Sequence, residues 1–511
     1  TRARIRKTLT DDRAQHTYVN REFLRNTQDK ERFKLLSNNQ TIVVHDEAHS
    51  RSNEQSEQSK GARMLASKFQ VLVTATPFKN PKTFRRMMAI LKPDDERFKS
   101  DAAFNKAFPH DDPRALKALS LLKDEVTLRF RKEDVMETVD PKKSLAQQRH
   151  KLPAKEFVPP EKRGEFTMSE EQAESIYQMF INWDQWCKRN NKYIPKDEVA
   201  REDHLRTANG FAKKHALRQT INNPAYIGSA AADAKLREIQ RIVTECLKEN
   251  RKVVIFCAYE AQAIKYAEAF KKYHPAVYTG QTSERGDVRD ASGKPMTFHR
   301  GDTTESHSSW ILDKNGYPIA DAKGETMSAL DYERITFQNT DDRKIIIATY
   351  NAGSVGTTFT AGKALIQDDL PADCVEAIQA EDRIHRIDPE RLTHASLKYY
   401  SMRSAYPQKF LDRMKKIWLV KDDGHYKEFA SHAAAKKYAS LSDKTAVNAH
   451  ENFFAQGTYD EVHSRNLIAQ RTMFRLINDG IADESVLDMN QEMFTGLANG
   501  NGKKVDGKEK K

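Results

Sequence analysis

Two adjacent carboxylates, Asp46 and Glu47, follow a short apolar run in the segment TIVVHDEAHS (41–50). Like charges at neighbouring positions repel each other unless water or a cation separates them, and Mg²⁺ is a cation that carboxylate oxygens hold well. In nucleotide hydrolases an aspartate at this point holds Mg²⁺ through water, while the adjacent glutamate orients and deprotonates the attacking water. The sequence therefore predicts that Asp46 binds Mg²⁺ through water and that Glu47 is a general base. The alternative is a solvated acidic turn after an edge strand.

Hydroxyl side chains close a second apolar run, KFQVLVTATP (68–77). Thr74 and Thr76 are alternate residues, so on a strand they face the same side. We expect them to share one hydrogen-bond network with His49, which would couple the two strand ends. Without the neighbouring carboxylates, the same residues would indicate only a turn with a proline.

Two arginines recur at helical spacing in EAIQAEDRIHRIDP (376–389). On a helix Gln379, Arg383 and Arg386 lie at i, i+4 and i+7 and project from one face. Guanidinium groups keep their charge and bind phosphate oxygens in pairs, and an arginine of this kind stabilises a transferring phosphoryl group. The segment thus predicts an ATP-binding and catalytic role for both arginines. The alternative is a solvated basic face that pairs with neighbouring acidic residues.

A glycine-rich loop, NAGSVGTTFTAG (351–362), precedes the two arginines. Gly353 and Gly356 would let backbone N–H groups point at a phosphate, although such a loop can also be an ordinary turn. The cradle that a carboxylate pair of this type requires, G-x-x-x-x-G-K-[ST], does not occur in the 511 residues. We therefore expect a separate N-terminal segment or a second chain to carry the P-loop.

Composition limits the class of protein. The formal net charge is +12 and the pI about 9.2, which favours polyanionic partners electrostatically. No apolar run approaches the roughly 18 residues of a membrane helix, and the basic N-terminus has no apolar core of a secretory signal. The four cysteines show no C-x-x-C spacing, which argues against a zinc site or a disulfide framework. These features predict an intracellular protein, cytoplasmic or nuclear, that does not contact a membrane; a virus- or phage-encoded protein fits equally.

Apolar runs of strand length alternate with helical patterns and must position these residues. Two runs flank the helix-like GARMLASKF (61–69), and four more follow downstream: RKVVIFCAYE (251–260), HPAVYTG (274–280), RKIIIATYN (343–351) and KALIQDD (363–369). EAQAIKYAEAFKKY (260–273) reads as a helix between the first two of these. Such alternation predicts an α/β fold with parallel sheets, whose ligands lie at the carboxyl ends of the strands.

Eight segments, taken in order, resemble motifs of the Swi/Snf-like superfamily-two helicases and translocases. They are VHDEAH (44–49) for motif II, LVTATPFKN (72–80) for motif III, LRFRKEDV (128–135) with KLPAKEFV (151–158), LRQTINNPAYI (217–227), KVVIFCAY (252–259) for motif IV, TYNAGSVGTTFT (349–360) for motif V and QAEDRIHRI (379–387) for motif VI. The chain departs from the family at Thr358-Phe359, where Asn-Leu is usual, and at Asp388-Pro389, where Gly-Gln is usual. The usual Trp-Asn-Pro before motif VI is reduced to DLPAD (369–373).

The resemblance implies two RecA-like lobes that bind ATP and Mg²⁺ in their cleft and step along double-stranded DNA. It implies that DNA is held through phosphates, independently of sequence, with candidate contacts at Lys79, Thr282, Arg334 and Thr357. The expected organisation is the C-terminal part of a first lobe at 1–140, a helical insertion or linker at 141–235, a second lobe at 236–420 with a surface insertion at 281–330, a helical extension at 421–495 and a disordered basic tail at 496–511.

Three explanations for the missing P-loop remain open at this point. The chain could be the C-terminal portion of an ATP-dependent translocase whose first half lies elsewhere. It could be a truncated, ATPase-inactive module that binds nucleic acid or serves as a scaffold. It could also belong to another nucleic-acid enzyme, such as a restriction or strand-annealing complex, that uses the same lobes.

Overall fold

The computed structural model describes residues 42–46, 48, 59–60, 69–74, 78, 80–109, 113–128, 135–157, 164–190, 209–284, 297–298, 325–326, 328–353, 357–371, 374–422, 425–441 and 444–479. The chain divides into two compact units. The first comprises 1–129 together with 467–511, and the second comprises 130–466.

The first unit begins with two parallel strands, β1 (Ile42–His45) and β2 (Phe69–Leu72), as the alternating apolar runs predict. Three helices follow: α1 (Pro81–Leu91), α2 (Asp101–Ala107) and α3 (Pro113–Asp124). The start of α1 is determined locally, because the Asn80 side chain accepts from the Thr83 backbone N–H while the Thr83 hydroxyl accepts from the Asn80 N–H. The core of this unit is an aromatic cluster around Phe78, Phe84 and Phe98.

One face of the β1–β2 pair is exposed and apolar. Ile42 stands opposite Phe69 and Val44 opposite Val71, and these side chains are 65%, 50%, 61% and 46% exposed in that order. Val73, just beyond β2, is 46% exposed. Strands of a parallel sheet are normally covered on both faces, so this face has the composition of a buried surface.

The second unit is built on a six-stranded sheet in the order β3-β11-β10-β5-β9-β6. Every neighbouring pair in this sheet is parallel. The strands are β3 (Lys155–Phe157), β5 (Lys252–Cys257), β6 (Ala276–Tyr278), β9 (Ile345–Thr349), β10 (Gly362–Gln367) and β11 (Leu397–Ser401). All four downstream apolar runs therefore form strands of one parallel sheet, and the prediction of an α/β fold is confirmed.

The remaining strands of the second unit form small sheets. β4 (Glu165–Thr167) pairs with β12 (Arg403–Ala405), β7 (Thr297–Phe298) pairs with β8 (Glu325–Thr326), and β13 (Trp418–Asp422) lies between β14 (His425–Phe429) and β15 (Ala446–Asn448). The helices after α3 are α4 (Glu170–Ile181), α5 (Trp183–Arg189), α6 (Asn209–Asn222), α7 (Ala234–Lys248), α8 (Glu260–Ala269), α9 (Gly280–Glu284), α10 (Ala329–Asn339), α11 (Tyr350–Gly353), α12 (Cys374–Ile384), α13 (Gln408–Met414), α14 (His432–Ser440) and α15 (Tyr459–Asp479).

The central strands are buried on both faces because their side chains alternate between two cores. Val253 and Ile255 of β5 belong to one core with α7, whereas Val254 and Phe256 belong to the other, which includes Ile384 of α12. All residues of β9 are buried. This explains why β5 and β9 read as continuous apolar runs in the sequence.

Two expectations about helical regions were wrong in part. The 141–235 region contains β3, which joins the large sheet beside β11, and also β4. The 421–495 region contains β14 and β15 of an antiparallel sheet, besides α14 and α15. The Asp423-Gly424 dipeptide that precedes HYKEF (425–429) is a typical hairpin signal.

No helix among the described residues is long and apolar enough to cross a membrane. The helix predicted at 61–69 and the tail at 496–511 lie almost wholly outside the described residues, as does most of the 281–330 insertion.

Candidate nucleotide site

Arg383 is buried at the end of α12, in the predicted motif VI. Its Nε donates to the Gln379 carbonyl one turn earlier over 3.0 Å, and its Nη1 donates to the Thr357 carbonyl over 2.9 Å. The side chain is 7% exposed. This placement differs from a solvated basic face, because the guanidinium is directed at backbone oxygens of motifs V and VI.

Arg386 lies beyond the helix, which ends at Ile384 rather than continuing through the predicted segment. Its Nη1 donates to the Thr358 hydroxyl over 2.9 Å and its Nε to the Asp382 carbonyl over 3.2 Å. Neither of these acceptors carries a charge, so the two bonds do not neutralise the guanidinium. The side chain is partly exposed, which leaves it accessible to an anion.

The stretch 357–360 contacts the stretch 383–388 through each of its four residues, and we call this arrangement the motif V–VI junction. Besides the bonds to the two arginines, the Phe359 N–H donates to the Arg383 carbonyl over 2.8 Å, and the Thr360 hydroxyl donates to Asp388. The Phe359 ring is fully buried against Tyr278, with centroids 5.6 Å apart. The junction thus holds both arginines beside the motif V loop.

Two other predicted residues of this region have clear packing roles. Gly353 ends α11, and a Cβ there would stand 2.9 Å from the Phe256 ring and 3.0 Å from the Ala348 Cβ, so this position requires glycine for close packing. Gln379 is buried on α12, and its carbonyl accepts from Arg383. Gly356, the second loop glycine, lies outside the described residues.

Asp46 lies in an exposed turn at the carboxyl end of β1, where a parallel sheet presents ligand-binding groups. Thr74 follows β2 at the same edge, and the backbones of the two ends are joined because the Val73 N–H donates to the His45 carbonyl over 2.9 Å. His45 itself is buried and contacts Gln70. The other predicted residues of motifs II and III, namely Glu47, His49, Thr76 and Lys79, lie outside the described residues.

The surroundings of Asp46 suit Mg²⁺ held through water. A single exposed carboxylate supplies the hard oxygen that Mg²⁺ prefers and leaves room for its water shell. Within the described stretches no group of three or more His, Cys, Asp or Glu residues could hold a metal.

The residues that the resemblance assigns to DNA phosphates differ in accessibility. Thr282 on α9 is 2% exposed and its hydroxyl donates to the Val277 carbonyl over 2.9 Å. Thr357 is 6% exposed and its hydroxyl donates to the Gly353 carbonyl. Arg334 on α10 is partly exposed and pairs with Asp331 over 3.0 Å. Among these three, Arg334 has the side chain that solvent reaches most readily.

A buried polar centre at the carboxyl end of β10 was missed by sequence reasoning. Asp368 pairs with Lys235 over 2.7 Å and accepts from the Tyr266 hydroxyl over 2.6 Å. Its neighbour Asp369 accepts from Arg218 Nε over 3.0 Å. Burial alone would lower the pKa of Lys235, but the two carboxylates outweigh it and hold that pKa above its ordinary value.

Asp460, at the start of α15, lies near the same centre. It accepts from the hydroxyl of Ser404 over 2.7 Å and from the Ser404 N–H over 3.2 Å. Burial raises the pKa of Asp460 to about 6 despite the attraction of Lys235. The polar pair Gln367-Asp368 at the end of an apolar strand was the one available signal for this centre.

Comparisons with known proteins give two family matches in the order expected from the motifs. The SNF2-related domain matches residues 16–159, and the helicase conserved C-terminal domain matches residues 289–388. The comparison with curated proteins finds no match.

Solved structures similar to the chain include two of a SWI2/SNF2 ATPase core and one of the Fun30 ATPase domain. The Sulfolobus solfataricus SWI2/SNF2 ATPase core in complex with dsDNA is 17% identical with a TM-score of 0.28, covering 76% of this chain and 68% of that chain. The core domain from the same organism is 15% identical with a TM-score of 0.29, covering 73% and 63%. The C-terminal part of the Fun30 ATPase domain is 13% identical with a TM-score of 0.29, covering 50% and 86%.

The family assignment comes from the two domain matches, since the solved structures are distant at these TM-scores. The matches cover the stretches that hold motifs II, III, V and VI, and they follow the same order along the chain. The two matches together support the resemblance of this chain to the Swi/Snf-like family of superfamily-two helicases.

Proposed function

We propose that this protein is an ATP-dependent translocase or helicase of double-stranded DNA. The observation that supports the proposal most is the motif V–VI junction, in which Arg386 is held by the neutral acceptors Thr358 and Asp382 O and remains partly exposed. A guanidinium in this state can bind the oxygens of a transferring phosphoryl group. Arg383 and Arg386 are the proposed ATP-binding and catalytic residues of this unit, and the loop glycines Gly353 and Gly356 are proposed to take part in ATP binding.

The first unit would supply the metal and the base. Asp46 would hold Mg²⁺, and Glu47 would deprotonate the attacking water. His49, Thr74 and Thr76 are proposed to link the ends of the two strands and, with Gln379, to couple nucleotide state to DNA movement. The location that this activity implies is intracellular.

DNA is the proposed partner because the family match is to SNF2-type ATPases, one of whose solved members carries dsDNA. Binding would be to phosphates, independent of sequence and sensitive to salt, and Lys79 and Arg334 are the strongest candidate contacts. The buried hydroxyls of Thr282 and Thr357 would need a backbone contact or a rearrangement to take part.

The P-loop is proposed to come from a segment that covers the exposed face of β1 and β2. That face carries Ile42, Val44, Phe69 and Val71, whose exposure would be costly for a complete parallel sheet. An α/β segment with the cradle G-x-x-x-x-G-K-[ST] would bury these side chains and add the phosphate-binding loop to the same sheet.

A second candidate function is a nucleic-acid-binding or scaffold module without ATPase activity. The 511 residues contain no P-loop sequence, and this favours the second candidate for the chain by itself. Both candidates predict that the 511-residue chain binds duplex DNA with an affinity that falls steeply as salt rises. They differ in whether hydrolysis follows once a P-loop segment is present.

The experiment is to measure DNA-stimulated ATP hydrolysis by the protein together with its P-loop segment, and by a Glu47→Gln variant. We expect hydrolysis that DNA stimulates, and a Glu47→Gln variant that binds ATP normally but turns over orders of magnitude more slowly, because only the transition state loses an interaction. Robust hydrolysis by the 511-residue chain alone would show that it needs no added P-loop. DNA binding without hydrolysis under any condition would favour the scaffold.

A further inference from the structure

Asp388 occupies a position where the family usually has glycine, and the structure gives this carboxylate several partners. Its Oδ2 accepts from the Thr360 hydroxyl over 2.5 Å and from Arg391 Nη1 over 3.0 Å. Its Oδ1 accepts from the Glu390 N–H over 3.2 Å. One side chain thus joins the start of β10 to the turn that follows motif VI.

The partners of Asp388 are themselves held by α10. Arg391 Nη2 donates to Asn339 Oδ1 over 2.6 Å, and its Nε donates to the Gln338 carbonyl over 3.2 Å. Gln338 Nε2 in turn donates to the Thr360 hydroxyl over 3.1 Å. Asp388 is therefore the acceptor at the centre of a closed polar network.

The carboxylate of Asp388 is charged in this setting. Burial alone would raise the pKa of Asp388, but the Thr360 hydroxyl and Arg391 lower it by more, so the pKa lies below its ordinary value. Hydrogen bonds to a charged acceptor are stronger than those between neutral groups. The network is therefore anchored by a full negative charge at neutral pH.

The network closes one end of the motif V–VI junction. Thr360 is two residues from Thr358, which accepts from Arg386, and Asp388 is two residues from Arg386 itself. With so few rotatable bonds between them, joining Thr360 to Asp388 restricts the relative position of the two stretches. Arg383 and Arg386 lie within the stretch 383–388 whose position is restricted, and the Asp388 carboxylate lies at the end of that stretch.

We propose that Asp388 is a positioning residue that holds Arg383 and Arg386 against the motif V loop. Its importance for catalysis depends on the proposed ATPase activity, but its effect on the two arginines does not. The substitution of glycine by aspartate at this position is then a functional feature of this chain. Asp388 also keeps Thr358, which stands where asparagine is usual, in position to accept the hydrogen bond from Arg386.

The test uses the full 511-residue chain without nucleotide or DNA. Hydrogen exchange of the Phe359 amide, which donates to the Arg383 carbonyl, reports whether the junction is closed. The Nε–H signals of Arg383 and Arg386 in ¹⁵N-arginine-labelled protein, assigned from Arg383→Lys and Arg386→Lys, report the guanidinium groups directly. We expect Asp388→Ala to speed exchange at Phe359 by about tenfold or more and to broaden or shift both signals, since it removes bonds to a charged acceptor.

Glu390→Gln is the matched control, because Glu390 is the next acidic residue after Asp388. Its carboxylate lies 3.6 Å from Arg391 Nη1, but its side chain is 83% exposed. We expect it to leave the Phe359 amide and both arginine signals unchanged. If Asp388→Ala fails to fold, Thr360→Val removes the hydroxyl with little change in volume and should open the junction in the same way. Asp388→Asn, which keeps an acceptor for Thr360 without the charge, should give an intermediate effect.

Two results would overturn the proposal. One is an Asp388→Ala variant, folded at the temperature of measurement, with unchanged Phe359 exchange and unchanged arginine signals. The other is faster exchange spread evenly over β5, β9 and β10, which would indicate loss of general stability. If the wild-type protein hydrolyses no ATP, the proposed function fails, whereas these readouts still decide the role of Asp388.

Discussion

Arg386 donates a hydrogen bond to the Thr358 hydroxyl over 2.9 Å, and this contact joins the two motifs that the sequence singled out for phosphate chemistry. Its neighbour Arg383 makes a parallel contact with the Thr357 carbonyl. The two arginines nevertheless differ in burial, since Arg383 is enclosed and Arg386 partly exposed. They should therefore respond differently to substitution.

Replacing Arg386 tests the proposed catalytic role. In protein that hydrolyses ATP, Arg386→Ala should reduce turnover by several powers of ten with little change in melting temperature, because an arginine of this type acts on the transition state. Arg386→Lys should not restore activity, since an ammonium cannot reproduce the paired donors. Turnover and thermal unfolding are the measurements. An active Arg386→Lys variant, or a second unit that unfolds in Arg386→Ala, would mean that this arginine is structural.

Replacing Arg383 should also affect folding. Arg383→Ala removes the guanidinium donor of the Thr357 carbonyl from a buried site, so we expect the free energy of unfolding to fall by about 1–3 kcal/mol. Denaturant unfolding measures this loss, with Arg386→Ala as the comparison. Equal stability of the two variants would contradict the difference in burial.

Asp460 should give stability a distinct pH dependence. The pKa of Asp460 is raised to about 6 in the folded protein, mainly by burial, from 3.8 in the unfolded chain. A raised carboxyl pKa means that the folded state binds the proton more tightly, so this contribution is complete below pH 3.8 and is lost as pH rises through 6. The shift corresponds to up to about 3 kcal/mol.

Asp460→Asn removes this titration while keeping an acceptor for Ser404. Relative to the wild type, the variant should be more stable at pH 7.5 than at pH 4.5, as measured by urea unfolding at both values. Asp412→Asn is a control that should show almost no pH trend between these two values, because hydrogen bonds from Lys415 and Gln408 lower the pKa of Asp412 and its titration therefore lies below pH 3.8. If both variants showed the same pH trend, the account of Asp460 would be wrong.

The exposed face of β1 and β2 should bind apolar molecules. In the 511-residue chain, an environment-sensitive dye should fluoresce on binding, and Val44→Lys with Val71→Lys should reduce that signal. The melting temperature should change little, because Val44 is 61% and Val71 46% exposed. The same pair of substitutions should prevent a P-loop segment from joining the chain. Leu441→Lys, at an 80% exposed position, is the control and should have no effect on either measurement.

Much of the α/β framework could be predicted because its signals are local. The apolar runs around Val254, Val277, Ile346 and Leu365 each form a strand of the large sheet. Their composition reflects burial on both faces, which any parallel strand in a covered sheet requires. The short strand β3 was missed because three residues carry little periodicity and its partner β11 is far along the chain. β14 was missed because its five residues do not alternate, although its partner β13 is close in sequence.

Parts of the candidate site could be predicted for a similar reason, and other parts could not. The helical spacing of Gln379 and Arg383 is present in the structure, where both are on α12. Arg386 was placed on the same helix, but α12 ends two residues earlier, since the chain turns there to contact the motif V loop. The resemblance assigns Thr282 to the DNA phosphates, but its side chain is buried in the structure. That burial depends on how α9 packs.

The sequence by itself determined the parallel-strand framework, the order of the motifs and the family, because apolar patterning and motif residues are properties of short segments. The tertiary structure alone decided which residues meet across long separations. Asp388 contacts Thr360, Asp368 contacts Lys235, and Asp460 contacts Ser404 only because the sheet brings their segments together. Such contacts depend on burial and distance in three dimensions, and the amino-acid types of the partners do not reveal them in advance.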